Sequence, residues 1–283
     1  MSAEQLDKTK EQLHQEWTRR GPFWNKRADE IADMAARLNE PFLDAADIAP
    51  GHRVLDLASG AGEPALTIAR RVGDAGAVVA SDMVPEMLAG ARRRAAEAET
   101  GNMTFEIADM EALPFDESGF DRVTCRFGLM FSVRPERALA EACRVLVPGG
   151  RAAFMVWGPR DETTMFAVFA EAAAAVFGDD PEIDVVTPFR FAEAGSLAAT
   201  MSAAGLVDVE ERALRFAPRV PANREFWHPQ QDMMLGRKLA GAGADERAAL
   251  NRAIRAGFEK TREGDDYHLT LHARIGLGRR AEG

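Results

Sequence analysis

The amino-acid sequence predicts an α/β fold, a doubly wound and mostly parallel sheet of seven strands with helices on both faces. First, short apolar runs alternate with amphipathic stretches between residues 53 and 157, as in repeated strand–helix–strand units. Second, a glycine-rich turn joins the first apolar run directly to a helix. Third, two strand-like runs after residue 205 bring the number of expected strands to seven. Burial on both faces explains why the first runs are largely apolar.

Two amphipathic helices are expected before the sheet. Apolar residues recur at helical spacing from Leu6 to Trp17 and again from Ile31 to Leu38. Gly21-Pro22 is expected to separate the two helices. We therefore predict that residues 1–50 form an N-terminal helical cap.

The remaining elements follow in order. The five strand-like runs of the first half are RVLDLA from residue 53, AVVASD from 77, MTFEIAD from 103, FDRVTCRF from 120 and RAAFMVW from 151, with a helix at 135–147 before the last. Later elements are helices at 163–176 and 196–205, the strand VDVEERALRF, helices near 222–238 and 244–262, and a strand at 267–277. Residues 51–283 are thus expected to form one domain, with cap elements at about 158–205 and 216–262.

The last strand, YHLTLHARIGL, shows strict alternation of apolar and polar residues. We expect one buried face and one polar face, and structural roles for its two histidines. The apolar positions are Tyr267, Leu269, Leu271, Ala273 and Ile275, and the polar positions are His268, Thr270, His272 and Arg274.

Composition and charge limit the classes of function. A net charge of −10 repels phosphate backbones, so no nucleic-acid partner is expected. Two cysteines, Cys125 and Cys143, show neither metal-site spacing nor a disulfide framework, as expected in a reducing compartment. The N-terminus is charged and no apolar stretch reaches membrane length. We expect a cytoplasmic protein without a membrane span or a metal site.

The glycine-rich turn lies in VLDLASGAGEPALTIA and predicts a nucleotide site. Gly60, Gly62 and Ala65 satisfy the G-x-G-x-x-G/A pattern, in which glycines allow a tight turn close to a ligand. Asp82 lies 20 residues beyond Gly62, where an acid would bind ribose hydroxyls. This pattern suits a nicotinamide dinucleotide and S-adenosylmethionine alike.

Asp56, inside the first strand, favours one of these two ligands over the other. An acid before the turn would repel the pyrophosphate of a dinucleotide but suits a ligand that carries an ammonium and a sulfonium. Asp109 follows the third strand and, because parallel strand ends meet at one crevice, should lie near Asp56 and Asp82. Asp109 could accept from the adenine amine, with Met83 and Met110 as apolar walls.

The stretches VLDLASGAG, SDMVPEML, ADMEALPF, FDRVTCRFGL and RVLVPGG resemble class I S-adenosylmethionine-dependent methyltransferases, specifically the ubiquinone/menaquinone C-methyltransferase group, over about residues 45–157. The resemblance implies a Rossmann-like sheet and S-adenosylmethionine as cofactor. It implies that Asp56, Gly60 and Gly62 hold the methionine part, Asp82 the ribose and Met83 one side of the adenine, and Ala58 is a further candidate to contact the cofactor. It further implies that Asp109 and Met110 read the adenine edge, with Arg126 beside the methionine part or the acceptor.

The acceptor is expected to be small and largely apolar. Aromatic and methionine side chains outside the core motifs, Trp24, Met130, Phe166 and Trp227, are the candidates to line its pocket. His228 is the candidate general base if the acceptor needs deprotonation. Quinone methyltransferases usually follow FGL with Arg-Asn, whereas this chain has Met130-Phe131, which weakens a quinone assignment.

Three functions remain open from the sequence. The first is methylation of oxygen, nitrogen or carbon on a secondary metabolite or quinol-like ring, by a protein that acts alone or as a homodimer. The second is a nicotinamide-dependent oxidoreductase, which Asp56 and the lack of a Tyr-Lys catalytic pair disfavour. The third is a non-catalytic regulator that binds S-adenosylmethionine. Fold does not decide between them.

Overall fold

The computed structural model describes residues 2–178 and 188–282. Residues 179–187, which fall in the predicted cap element at about 158–205, lie outside the described residues. The chain divides into two compact units. Unit 1 comprises Met1–Val156, Glu193–Arg212 and Arg274–Gly283, and unit 2 comprises Trp157–Ala192 and Ala213–Ala273. The predicted boundaries of a helical cap and cap elements stay a prediction.

Helices and strands alternate as the sequence predicts. The helices are α1 Ala3–Lys26, α2 Ala28–Ala45, α3 Ala65–Val72, α4 Pro85–Glu97, α5 Pro135–Val145, α6 Thr164–Phe177, α7 Ser196–Ala203, α8 His228–Gly241 and α9 Ala244–Glu259. The strands are β1 Arg53–Leu57, β2 Ala77–Asp82, β3 Met103–Ile107, β4 Phe120–Arg126, β5 Leu146–Trp157, β6 Val207–Phe216, β7 Arg219–Pro221, β8 Arg262–Glu263, β9 Asp266–His268 and β10 Leu271–Arg279. In the part of the chain that the structure describes, no helix is both long and apolar enough to cross a membrane.

A seven-stranded sheet with the order β3-β2-β1-β4-β5-β10-β6 confirms the predicted fold class. The pairs β1–β2, β2–β3, β1–β4 and β4–β5 are parallel. The chain first builds outward from β1 to β3 and then returns to the other side of β1 with β4. The strand order therefore reverses between β1 and β4, and in such sheets ligands bind at the carboxyl ends of the strands at this point.

The first helix is longer than the sequence predicts. We expected Gly21-Pro22 to end it, but α1 continues to Lys26 with Pro22 inside. Gly21 packs so closely on α4 that a Cβ there would lie 3.0 Å from the Cβ of Glu86. Because this packing continues past the proline, the loss of one backbone hydrogen bond does not end the helix.

The predicted last strand is instead two strands, β9 and β10, which belong to different sheets. The predicted polar face is also wrong for its second half, because His272 and Arg274 are buried. Since β10 lies between β5 and β6, it is an interior strand of the large sheet. Both buried side chains have acidic partners: His272 Nδ1 lies 2.8 Å from Glu162 Oε2, and Arg274 Nη1 donates to Glu211 Oε1 at 3.2 Å.

Unit 2 has a core of its own. The three-stranded sheet β7-β9-β8 and the helices α6, α8 and α9 carry its apolar residues. At its centre the Trp227 and Phe258 rings stack at a centroid distance of 4.9 Å and an interplanar angle of 17°. Tyr267 packs at the edge of Trp227, and its hydroxyl donates to Glu259 at 2.7 Å.

Candidate functional site

The turn after β1 bends on residues with left-handed backbone conformations. Ala58, Gly60 and Gly62 have φ values of +50°, +54° and +112°. A Cβ on Gly62 would lie 3.3 Å from the backbone of Ala91, so this glycine allows α4 to approach the turn. A Cβ on Gly60 would meet no atom of the described chain within 4 Å. Gly60 therefore leaves open space at the turn, where a ligand could approach the backbone.

Asp56 is completely buried near the end of β1. Thr124 Oγ1 donates to Asp56 Oδ1 at 2.7 Å, whereas Asp56 Oδ2 has no hydrogen-bond partner among the residues that the structure describes. Burial raises the pKa of Asp56 to about 7, against the hydrogen bond from Thr124 and the charge of Arg126, which lower it. A buried carboxylate oxygen without a partner is costly, and a cationic ligand group would satisfy it.

Asp82 ends β2 and fixes the conformation of the glycine turn. Its Oδ2 accepts from the Gly60 N–H at 3.0 Å and its Oδ1 from the Val84 N–H at 2.9 Å. Burial raises the pKa of Asp82 to about 6, although these two N–H groups lower it. The carboxylate keeps unused lone pairs, which can accept from ribose hydroxyls.

The carboxyl ends of β1, β3 and β4 meet at Gly128. A Cβ on Gly128 would lie 2.5 Å from the Cβ of Ala58 and 3.6 Å from the Cε of Met110. Gly128 thus lies close to both Ala58 and Met110. Sequence reasoning missed Gly128. The glycine of FGL was the available signal, because a side chain at this position would fill the space between the ends of these strands.

Helix α1 contacts the residues expected around the adenine. His14 Nε2 forms a 3.2 Å hydrogen bond with the Met83 carbonyl oxygen. Lys10 forms ion pairs with Asp109 and with Glu111, the latter at 2.7 Å. No sequence signal identifies Lys10 or His14, because both lie on a helix whose pattern identifies only its apolar face.

Arg126 is held at the end of β4 by groups from two other elements. Its Nη1 donates to Asn39 Oδ1 at 2.6 Å and its Nη2 to the Glu63 carbonyl oxygen at 3.1 Å. Arg126 Nε is buried and has no hydrogen-bond partner in the described chain. Burial lowers the pKa of Arg126, while the charges of Glu63 and Asp56 raise it, so the guanidinium and the Asp56 carboxyl influence each other directly.

One candidate acceptor residue of unit 1, Trp24, lies in an aromatic cluster, which consists of Trp17, Trp24 and Phe131. Trp17 contacts Phe131 edge-on at a centroid distance of 5.0 Å and Trp24 at 6.2 Å. The indole N–H of Trp24 is buried without a hydrogen-bond partner among the described residues. Met130, next to Phe131, is 1% exposed.

The other candidate residues belong to unit 2. Phe166 contacts Trp157 edge-on at 4.9 Å, and Trp227 is 1% exposed in the core of the unit, which favours a structural role for it. His228 begins α8 with a side chain that is 47% exposed, and its Nε2 is paired with Glu225. The role of His228 as a base and the acceptor contacts stay predictions.

Residues 54–150 match the family model described as a methyltransferase domain. The chain is 44% identical to the ubiquinone/menaquinone biosynthesis C-methyltransferase UbiE of Azotobacter vinelandii over 102 residues. This alignment covers 36% of this chain and 40% of that protein. The chain is also 46% identical to the demethylmenaquinone methyltransferase of Thermus thermophilus over 107 residues, an alignment that covers 38% of this chain and 48% of that protein. The chain thus matches less than half of the length of these relatives.

Solved structures share the fold at low sequence identity. The YcgJ protein of Bacillus subtilis aligns with a TM-score of 0.57 and 22% identity over 87% of this chain and 98% of that one. The (4+2)-cyclase SpnF aligns with a TM-score of 0.60 and 22% identity over 96% of each chain. These likenesses show the fold alone. The family match and the curated relatives support a class I S-adenosylmethionine-dependent methyltransferase domain in the part of the chain that they cover.

Proposed function

We propose that this protein binds S-adenosylmethionine in unit 1 and transfers its methyl group to a small, largely apolar acceptor. One observation carries the proposal. Asp56 Oδ2 and Arg126 Nε are buried groups of opposite charge, each without a hydrogen-bond partner in the described chain. The amino-acid end of S-adenosylmethionine carries one ammonium and one carboxylate, which complement this pair of groups.

The chemical character of the other site residues also fits this ligand. Gly60 leaves room at the turn, Asp82 offers carboxylate lone pairs to ribose hydroxyls, and Met110 supplies an apolar surface near Ala58. Asp109 is the acceptor for the adenine amine. A dinucleotide fits less well, because Asp56 would face its pyrophosphate without a compensating charge from the ligand.

When bound, S-adenosylmethionine supplies a methyl group that its sulfonium already activates for displacement. The protein's own residues then need to hold the ligand in one orientation and keep water away from it. Asp56 and Arg126 fix the amino-acid end, and Asp82 fixes the ribose. Cys125 takes no part as a nucleophile, since burial raises the pKa of its thiol to about 12.

The aromatic cluster of Trp17, Trp24 and Phe131 supports an acceptor with an apolar ring. The buried Trp24 N–H could donate to an oxygen on such a ring. Since the relatives are named as ubiquinone/menaquinone and demethylmenaquinone methyltransferases, a demethylated quinol is the first acceptor to test. Met130-Phe131 in place of Arg-Asn keeps other ring-containing metabolites as candidates, for oxygen, nitrogen or carbon methylation.

The test uses purified full-length protein and methyl-labelled S-adenosylmethionine. One set of reactions contains demethylated quinols, and a second contains a small-molecule extract of the host, with labelled products identified by mass spectrometry. A labelled apolar product that disappears with Asp82→Ala is expected. Binding of S-adenosylhomocysteine without any labelled product would instead support the non-catalytic regulator, and binding of a nicotinamide dinucleotide alone would contradict the proposal.

A further inference from the structure

Asn39 lies on α2, outside the residues that match the methyltransferase family, and connects three parts of the candidate site. It is only 4% exposed. Its Oδ1 accepts from Arg126 Nη1 at 2.6 Å. Its Nδ2 donates to Glu63 Oε2 at 3.1 Å and to Thr67 Oγ1 at 3.2 Å. One amide therefore joins α2, the glycine turn and the end of β4.

These bonds determine which way the Arg126 guanidinium points. A guanidinium is a rigid planar fork, so fixing two of its nitrogens also fixes the third. Asn39 and the Glu63 carbonyl oxygen hold Nη1 and Nη2, and Nε remains buried without a partner in the described residues. Nε is therefore the guanidinium nitrogen that this arrangement leaves without a partner, and its N–H can donate to another molecule.

Asn39 also separates two opposite charges. The Glu63 carboxylate receives hydrogen bonds from Asn39 and from Thr67, the latter at 2.7 Å, and lies 3.8 Å from Arg94. Arg126 donates to the backbone carbonyl oxygen of Glu63 and not to its carboxylate. Without the neutral amide, Arg126 could rotate to pair with the Glu63 carboxylate, and its charge would then be compensated inside the protein.

We propose that Asn39 is a positioning residue that keeps Arg126 directed at the carboxylate of the bound ligand. The inference rests on the proposed function. It assigns part of the recognition of the amino-acid end to α2, through Arg126 and not through a contact of Asn39 with the ligand. Asn39 should thus affect only ligands that carry the carboxylate.

Two ligands separate this role from a general structural one. S-adenosylhomocysteine carries the amino-acid end, whereas 5′-methylthioadenosine retains adenine, ribose and sulfur without it. In calorimetric titrations of the full chain, Asn39→Ala should weaken S-adenosylhomocysteine binding by about tenfold, as expected for a misdirected charged hydrogen bond. It should leave 5′-methylthioadenosine binding within about twofold.

The matched control is Thr67→Val, which removes the hydroxyl bonded to Asn39 and Glu63 but not to Arg126. Thr67→Val should leave unchanged the ratio of the affinity for S-adenosylhomocysteine to the affinity for 5′-methylthioadenosine. In a double-mutant cycle, Asn39→Ala should add little to Arg126→Gln, because both changes remove the same contact. If Asn39→Ala does not fold, the isosteric Asn39→Asp replaces it and should also lower the ratio, since its charge would pair with Arg126.

Equal weakening of both ligands by the Asn39 variants, or an unchanged ratio in a folded variant, would overturn the inference while leaving the proposed function in place. If the wild-type protein binds neither ligand, the proposed function itself fails and the inference fails with it. These results are distinguishable because each titration includes the wild-type protein.

Discussion

The glycine-turn region of unit 1, which comprises residues 56–62 with Asp82 and Arg126, and the ring cluster of unit 2, which comprises Trp227, Phe258 and Tyr267, bury their polar groups differently. Around the glycine turn, Asp56 Oδ2 and Arg126 Nε are buried without partners among the described residues. In the ring cluster, the Tyr267 hydroxyl is bonded to Glu259, and Trp227 and Phe258 stack on each other. Unpaired buried charge costs stability, whereas packed rings add to it. The difference indicates that the first region is built for a ligand and the second for stability.

The largest expected effect tests the role of the ring cluster. Trp227→Ala should lower the free energy of unfolding by about 3–5 kcal/mol, because it removes a large ring from a packed core. Chemical denaturation monitored by circular dichroism measures this change. The neighbouring exposed residue provides the control, since His228→Ala should shift stability by less than about 0.5 kcal/mol. A Trp227 variant with unchanged stability but altered acceptor kinetics would instead place Trp227 in the acceptor site.

Asp82→Ala tests the glycine-turn region directly. We expect it to weaken S-adenosylhomocysteine binding by about 100-fold, since a carboxylate that accepts from two hydroxyls contributes on the order of 3 kcal/mol. Calorimetric titration measures the affinity, and circular dichroism checks that the fold is intact. Asp74→Ala, at an exposed turn, should bind like the wild type. Unchanged affinity in the Asp82 variant would refute the ribose assignment.

The raised pKa values predict a pH dependence. Asp56 titrates near 7 and Asp82 near 6, so both carboxylates become ionised as the pH rises from about 5 to 8. Binding of a ligand with an ammonium should therefore strengthen by about tenfold over this range. Asp56→Asn should remove the part of this dependence around pH 7. A binding curve that is flat with pH, or that weakens as the pH rises, would contradict the role of Asp56.

The same shifts predict the opposite trend for the stability of the ligand-free protein. Because the folded pKa of Asp56 lies above the ordinary value of 3.8, the folded state binds more protons than the unfolded state between about pH 4 and 7. The contribution of Asp56 to stability is present below pH 4 and is lost as the pH rises through 7. Thermal unfolding across this range should show that the stability of Asp56→Asn falls less with rising pH than that of the wild type.

The smallest expected effect concerns the contact of α1 with Asp109. Lys10 pairs with Asp109, so it competes with an adenine amine for that carboxylate. Lys10→Ala should therefore tighten S-adenosylhomocysteine binding by about threefold, within the range of a partly exposed ion pair. Lys8→Ala is the control, since among the described residues Lys8 pairs only with Glu4 on the surface of the same helix. Weaker binding by the Lys10 variant would mean that α1 supports the adenine site.

Much of the sheet and the glycine turn could be predicted from sequence, because their signals are local. Each signal spans only a few residues: the apolar run of β1 leads directly into the two glycines, one acid ends β2, and another follows β3 closely. Asn39 could not be assigned in this way, since its contact with Arg126 joins residues 87 positions apart. The end of β9 was also missed, because the same alternation continues across Leu269 into a strand of another sheet.

The position of Trp227 shows a second limit. An aromatic residue near a predicted cap is compatible with both an acceptor pocket and a core, and its sequence pattern is the same in each case. Its stacking on Phe258 depends on a helix that begins 17 residues later. Burial of this kind is a property of tertiary packing, which periodicity along the chain does not contain.

The most direct test of the account is a calorimetric titration of the wild-type protein with S-adenosylhomocysteine, beside a matched titration with NADH. We expect saturable binding of S-adenosylhomocysteine at one site per chain and no binding of NADH. Binding of NADH without S-adenosylhomocysteine, or binding of neither ligand, would contradict the assignment of Asp56 and Arg126 as receptors for the amino-acid end.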